Sequence, residues 1–147
     1  MQLRYRFGLG LLVCAEHMCV IADELYVCDT DHHRLQVVSL AGEHRRSIMG
    51  EWKFPDHLCF ANDRLYLHVD RLYQHQYRRR ILVLSLQGDI LQVLAHPTQP
   101  TAEFLSICCF DDKLLVSYRY DEDWESAEPN GLHSPQYAYG MLALQGV

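Results

Sequence analysis

The chain has no CxxC pair, no GxSxG elbow, no phosphate-cradling glycine loop, no HExxH and no apolar run of membrane-spanning length. Each absence removes a class of function. Adjacent Cys108 and Cys109 point to opposite faces of a strand, and without paired thiols at metal spacing a zinc finger is not expected. Six cysteines without a framework spacing fit free thiols and a reducing compartment. Asp29 and Asp31 lack the loop spacing and terminal glutamate of a helix-flanked calcium site. Helical periodicity is absent throughout, which leaves an all-β reading. Basic residues are in deficit, 13 against 19 acidic ones, and the net charge of −6 disfavours nonspecific binding to nucleic acid or an anionic membrane.

What is present is a repeat. Cys19-Val20-Ile21-Ala22-Asp23-Glu24-Leu25-Tyr26-Val27 returns as Cys59-Phe60-Ala61-Asn62-Asp63-Arg64-Leu65-Tyr66-Leu67, and again as Cys108-Cys109-Phe110-Asp111-Asp112-Lys113-Leu114-Leu115-Val116. The aspartates at 23, 63 and 112 are spaced by 40 and 49 residues. A residue needed once per repeat is architectural, so these aspartates read as turn formers and the cysteines as small core residues. With 49% hydrophobic and 22% charged residues in 147, the chain can bury a real core.

Each unit reads as an antiparallel meander of short strands. The first full unit spans 17–50, with strands Met18–Ile21, Leu25–Cys28, Arg34–Leu40 and His44–Met49. The second spans 57–96, with strands His57–Phe60, Arg64–Leu67, Arg80–Leu86 and Ile90–Leu94. The third spans 104–147 and lacks a fourth strand. Residues 1–8 read as the last strand of a preceding unit, and Glu51–Pro55 as a crossing, since proline belongs before a strand rather than inside one. The expected architecture is all-β, about three β-propeller blades.

Spacing also locates two insertions. Asp23 to Gly42 is 19 residues, Asp63 to Gly88 is 25, and Asp112 to Gly146 is 34. Both additions fall between the second and third strands, and so on one rim. Insertions gathered on one face of a repeat scaffold commonly form its recognition surface. The candidate interaction residues are therefore Arg71, Tyr73, His75, Tyr77, Arg78, Arg79 and Arg80 in the first loop, and Tyr118, Tyr120 and Trp124 in the second. Arginine and aromatic residues together suit acidic peptides, phosphates or stacked bases. The acidic second loop favours a protein partner over RNA. His17 and His57 are equivalent positions that could approach the axis of a propeller, where enzymes of that architecture place metal ligands. They read instead as strand-entry residues, and no residue is assigned to a cofactor or metal.

Glu24-Leu25-Tyr26-Val27-Cys28-Asp29-Thr30-Asp31-His32-His33-Arg34-Leu35-Gln36-Val37 resembles the NHL repeat, with its "lYVaD" strand, short turn and "hRIqVf" strand. Val38–Gly42 continues the pattern, and Phe54-Pro55-Asp56-His57-Leu58 resembles the opening of the next repeat. The resemblance implies a β-propeller ring of about six four-stranded blades, of which this chain supplies about three. Two expectations follow for the remainder of the ring: a second copy that closes it, or the rest of a longer chain. The leading functional expectation is a noncatalytic interaction or scaffold module. The alternatives are a metal-dependent propeller-type hydrolase or lyase, and RNA binding through the arginine-rich loop. A cytoplasmic location is expected, although Arg4 and Arg6 before Phe7–Ala15 faintly imitate a signal peptide. No membrane association is expected.

Overall fold

The computed structural model describes residues 10–73, 78–111, 113–121 and 137–145. They form three antiparallel sheets. The first contains β1 (Ala15–Ile21), β2 (Glu24–Asp29), β3 (Arg34–Ser39) and β4 (His44–Ile48), paired in chain order. The second contains β5 (Trp52–Ala61), β6 (Arg64–Leu72), β7 (Arg80–Leu84) and β8 (Ile90–Leu94). The third contains β9 (Glu103–Phe110), β10 (Lys113–Asp121) and β11 (Tyr137–Gln145). A single 3-10 turn, Thr30–His32, joins β2 to β3. The all-β expectation of three meanders holds, and the sheets do not close on themselves.

Asp23 and Asp63 lie in two-residue hairpin turns, and Asp112 lies outside the described residues. Ile21 pairs with Glu24 and Ala61 with Arg64. Asn62 and Asp63 both take positive φ, 51° and 57°, the signature of the primed turn whose twist matches its strands. Asn and Asp tolerate this backbone because their short polar side chains bond locally.

Two apolar cores bind the sheets face to face. Tyr26, Cys28, Leu35 and Val37 of the first sheet meet Leu58, Leu65, Leu67 and Leu82 of the second. On the other face of the second sheet, Tyr66, Ile81 and Val83 meet Phe104, Ile107, Leu114 and Val116 of the third. The middle sheet is thus buried on both faces. Alternation along β6 directs Leu65, Leu67 and Val69 into the first core and Tyr66 into the second, as a pleated strand requires.

Several strand expectations need correction. Residues 51–55 are not merely a crossing, because β5 begins at Trp52 and includes Pro55 opposite Val69. Proline is tolerated there because β5 is the edge strand of its sheet and the ladder is irregular between Pro55 and His57. Tyr118 and Tyr120 are not loop residues. They extend β10, where they pair with Gly140 and Ala138. The apolar alternation Leu114, Val116, Tyr118 carries the strand onward against the second core. At Gly140 a Cβ would lie 2.4 Å from the Tyr118 hydroxyl, so the tyrosine needs glycine opposite it. Cys108, expected in the core, is exposed, whereas Cys28 is fully buried.

Candidate functional site

The face of the third sheet that points away from the second is open. Phe110 is 64% exposed and Met141 78%, with Tyr139, Ala143 and Cys108 also exposed and Leu115 half-buried. Ladder registers identify the matching positions in the other sheets. Met141 lies across from Ser117 as Leu35 lies across from Cys28 and Ile81 from His68. Leu115, Tyr26 and Tyr66 occupy one further column, and Phe110, Ile21 and Ala61 another. Leu35 and Ile81 are fully buried, because in the first two sheets this face docks onto the next sheet. The third sheet therefore exposes the surface with which its predecessors stack.

The opposite end of the stack is complementary in kind. Met18 and Val20 on β1 are 52% and 57% exposed, whereas Leu58 and Ile107, in the same column as Met18, are buried.

The basic rim is organised by carboxylates. Arg71, Arg78 and Arg79 converge on Asp70, with Arg78 making the tightest contact. Arg79 and Arg119 also meet Glu103, and Arg119 lies over the Tyr137 ring at 4.6 Å. These pairs hold Arg78 and Arg119 firmly protonated. Tyr73 is half-exposed beneath the Lys53 ammonium. Arg80 is buried, and its guanidinium donates to the carbonyls of Ala102 at 2.6 Å and Pro100 at 3.0 Å. It ties the second sheet to the segment leading into β9 and is not available at the surface. Arg71, Arg78 and Arg79 thus share one carboxylate, whereas Tyr118 packs on the His96 ring at 4.3 Å. His75, Tyr77 and Trp124 lie outside the described residues.

A third feature combines His57, expected as a strand-entry residue, with two side chains the sequence reading missed. His57 on β5 faces His68 on β6, and Asp56 is the extra residue where the ladder shifts between Pro55 and His57. Such a bulge re-aims a side chain, here bringing two consecutive residues to one place. Asp56, His57 and His68 present ligand-capable atoms within 4.8 Å of one another. His68 is fully buried, with Nδ1 against the Asp56 carboxylate and Nε2 donating to the Phe104 carbonyl at 2.7 Å. Burial works against ionisation of Asp56, but the two imidazoles outweigh it and hold the carboxyl far below the usual range. The same carboxylate raises His57 against the effect of burial. His17 stacks 5.2 Å from His57, and its Nδ1 accepts the Leu58 N–H at 3.4 Å. Burial first, then the neighbouring His57, lowers its pKa.

No protein-family model matches the chain, and no curated protein matches it. Among solved structures it is similar to a chain of Kuenenia stuttgartiensis hydrazine synthase, with TM-score 0.54 and 12% identity over 92% of this chain and 52% of that one. It thus spans about half the length of that match. A computationally designed protein, Ika4, aligns with TM-score 0.43 and 9% identity over 86% of this chain and 91% of that one. Among the described residues no helix is long and apolar enough to cross a membrane, a statement that does not address strand-built barrels. Three stacked meanders and the hydrazine synthase likeness make the fold β-propeller-like.

Proposed function

We propose that the chain is a noncatalytic protein-interaction module that works by blade stacking, with a second copy of itself as the partner. The observation that carries this reading is the open face of Phe110, Leu115 and Met141, whose column equivalents are buried between sheets elsewhere in the chain. The Met18 and Val20 face at the other end supplies the kind of surface such a face stacks upon. Two copies joined twice, open face to β1 face, satisfy both ends under one two-fold axis. Removing Phe110 and Met141 from water contributes roughly 1–2 kcal/mol each at such an interface. The NHL-like pattern of Glu24–Val37 supports the same reading, because repeats of that kind are used as stacked blades. The rim arginines are a weaker basis for RNA binding, since Asp70 and Glu103 engage them.

Sedimentation velocity across a concentration series tests the proposal. Wild-type chain is expected at twice the monomer mass at tens of micromolar, and Phe110→Asp with Met141→Asp is expected as a folded monomer by circular dichroism. A wild-type monomer throughout, or an equally tight dimer in the double variant, would refute it.

A further inference from the structure

The Asp56, His57 and His68 cluster lies apart from the stacking face and is unexplained by it. His68 Nε2 faces a carbonyl, which can only accept, so that nitrogen carries a proton. Its Nδ1 faces the Asp56 carboxylate, which also presents lone pairs. Two lone pairs aimed at each other in a buried place require a cation between them: a proton at the hydrogen-bond contact seen here, or a metal ion once the two atoms have parted to ligand spacing. His57 Nδ1 is buried and has no hydrogen-bond partner, although Asp56 Oδ1 is only 3.4 Å away. That separation matches the edge of a tetrahedron with bonds of about 2.0–2.1 Å, about 3.3–3.4 Å, whereas the His68–Asp56 contact is closer and must open when an ion enters. The carbonyl behind His68 fixes its tautomer and ring plane, which is the outer support that metal-ligating histidines ordinarily have.

From this geometry we infer that Asp56 Oδ1, His57 Nδ1 and His68 Nδ1 form a binding site for a divalent zinc-class cation, with a fourth position open to water. The donor set of two imidazoles and one carboxylate suits zinc and its borderline neighbours better than calcium or magnesium, which take oxygen ligands. Binding displaces the proton between His68 and Asp56, lets that pair part, and gives the His57 nitrogen a metal bond in place of its long 3.4 Å pairing with Asp56. His17 is a wall of the site and not a ligand, because accepting the Leu58 N–H leaves its proton on Nε2. The open position lies beside His57, whose side chain is 36% exposed, and it would accept water or an anionic oxygen donor. The ion would also tie the β5–β6 hairpin to β9 through His68 and Phe104.

Cobalt(II) and zinc(II) titrations of the full chain test the assignment. One equivalent of cobalt is expected to bind with a visible tetrahedral spectrum and no thiolate-to-cobalt charge-transfer band, and zinc is expected to displace it. His57→Ala and Asp56→Asn should each weaken binding at least tenfold, while Cys108→Ser, on the exposed thiol, should leave it unchanged. Both ligand variants alter partly exposed side chains, so circular dichroism checks their folding without relying on the fully buried His68. Absence of stoichiometric binding, a thiolate-dominated spectrum, or unchanged affinity in the Asp56 and His57 variants would overturn the inference.

Discussion

Asp29→Asn isolates one buried carboxylate whose partners are all known. Asp29 is fully buried at the end of β2. Its Oδ1 accepts the Val13 N–H at 2.9 Å, while its Oδ2 accepts from His32 Nδ1 at 2.7 Å and Arg34 Nε at 2.8 Å. Asparagine keeps the volume and the acceptor for Val13 but turns an NH2 group toward two donors. His32 can adapt by changing tautomer, and at 42% side-chain exposure its ion pair contributes little. Arg34 cannot adapt, because a guanidinium has no acceptor. The loss is therefore one charge-assisted hydrogen bond, about 1.5–3 kcal/mol. Arg34 is only 24% exposed and recovers little of this from water, which places the expected cost near 2–3 kcal/mol. For a chain of this length that is a fall in Tm of about 5–10 °C. Urea titration followed by circular dichroism should show a lower midpoint at unchanged slope.

The pH dependence gives an independent check. Burial alone would raise the pKa of Asp29, but hydrogen bonds from Val13, His32 and Arg34 outweigh it and hold the carboxyl below its ordinary value. A depressed folded pKa means stability that is present above the unfolded pKa of about 3.9 and lost as pH falls through the folded value. The wild-type advantage over Asp29→Asn should therefore persist at neutral pH and narrow below about pH 4. A stability difference under about 0.5 kcal/mol at pH 7, or a gap that widens in acid, would refute the reasoning.

Two further predictions concern the core. Leu67→Ala removes a fully buried side chain between the first and second sheets and should cost about 2–5 kcal/mol in chemical denaturation. Leu91→Ala, on a half-exposed position of β8, should change stability by no more than about 0.5 kcal/mol. Cys28 is fully buried, and burial pushes its thiol upward, while Cys108 is exposed. A maleimide followed by peptide mapping should therefore label Cys108 within minutes and Cys28 only after denaturant is added; equal labelling rates would contradict the packing.

Much of the fold was legible because repetition fixes phase. Three copies of one hairpin, centred on Asp23, Asp63 and Asp112, locate the inner strands and the direction of each side chain. The same hairpin could have revealed half of the histidine cluster. A two-residue turn at 62 and 63 pairs residues whose numbers sum to 125, which sets His57 opposite His68. Asp56 joins them only through a bulge, and a bulge adds a residue without leaving a pattern in an edge strand that already contains proline. Arg80 shows the opposite difficulty. It belongs to an arginine run that suggests a charged surface, yet its position begins a β-strand whose every residue is buried. The charge is accommodated by carbonyls from residues 100 and 102, partners that no local reading can supply. The lengthened spacing to Gly146 suggests a loop at Tyr118, but length shows only that an insertion exists, not where its strands end.

The double covering of the middle sheet has a kinetic consequence. In a stacked array each unit is stabilised by its neighbours, so a terminal unit can open while the rest stays folded. The first and third sheets each have one such neighbour, but β5–β8 has two. Amides of β6 and β7 should then exchange with solvent only when the whole chain unfolds, while those of β1 and β11 exchange through cheaper partial openings. Stacking a further blade on either end would slow exchange first in the sheet it covers. The order in which protection appears along the chain would thus report which end had been met.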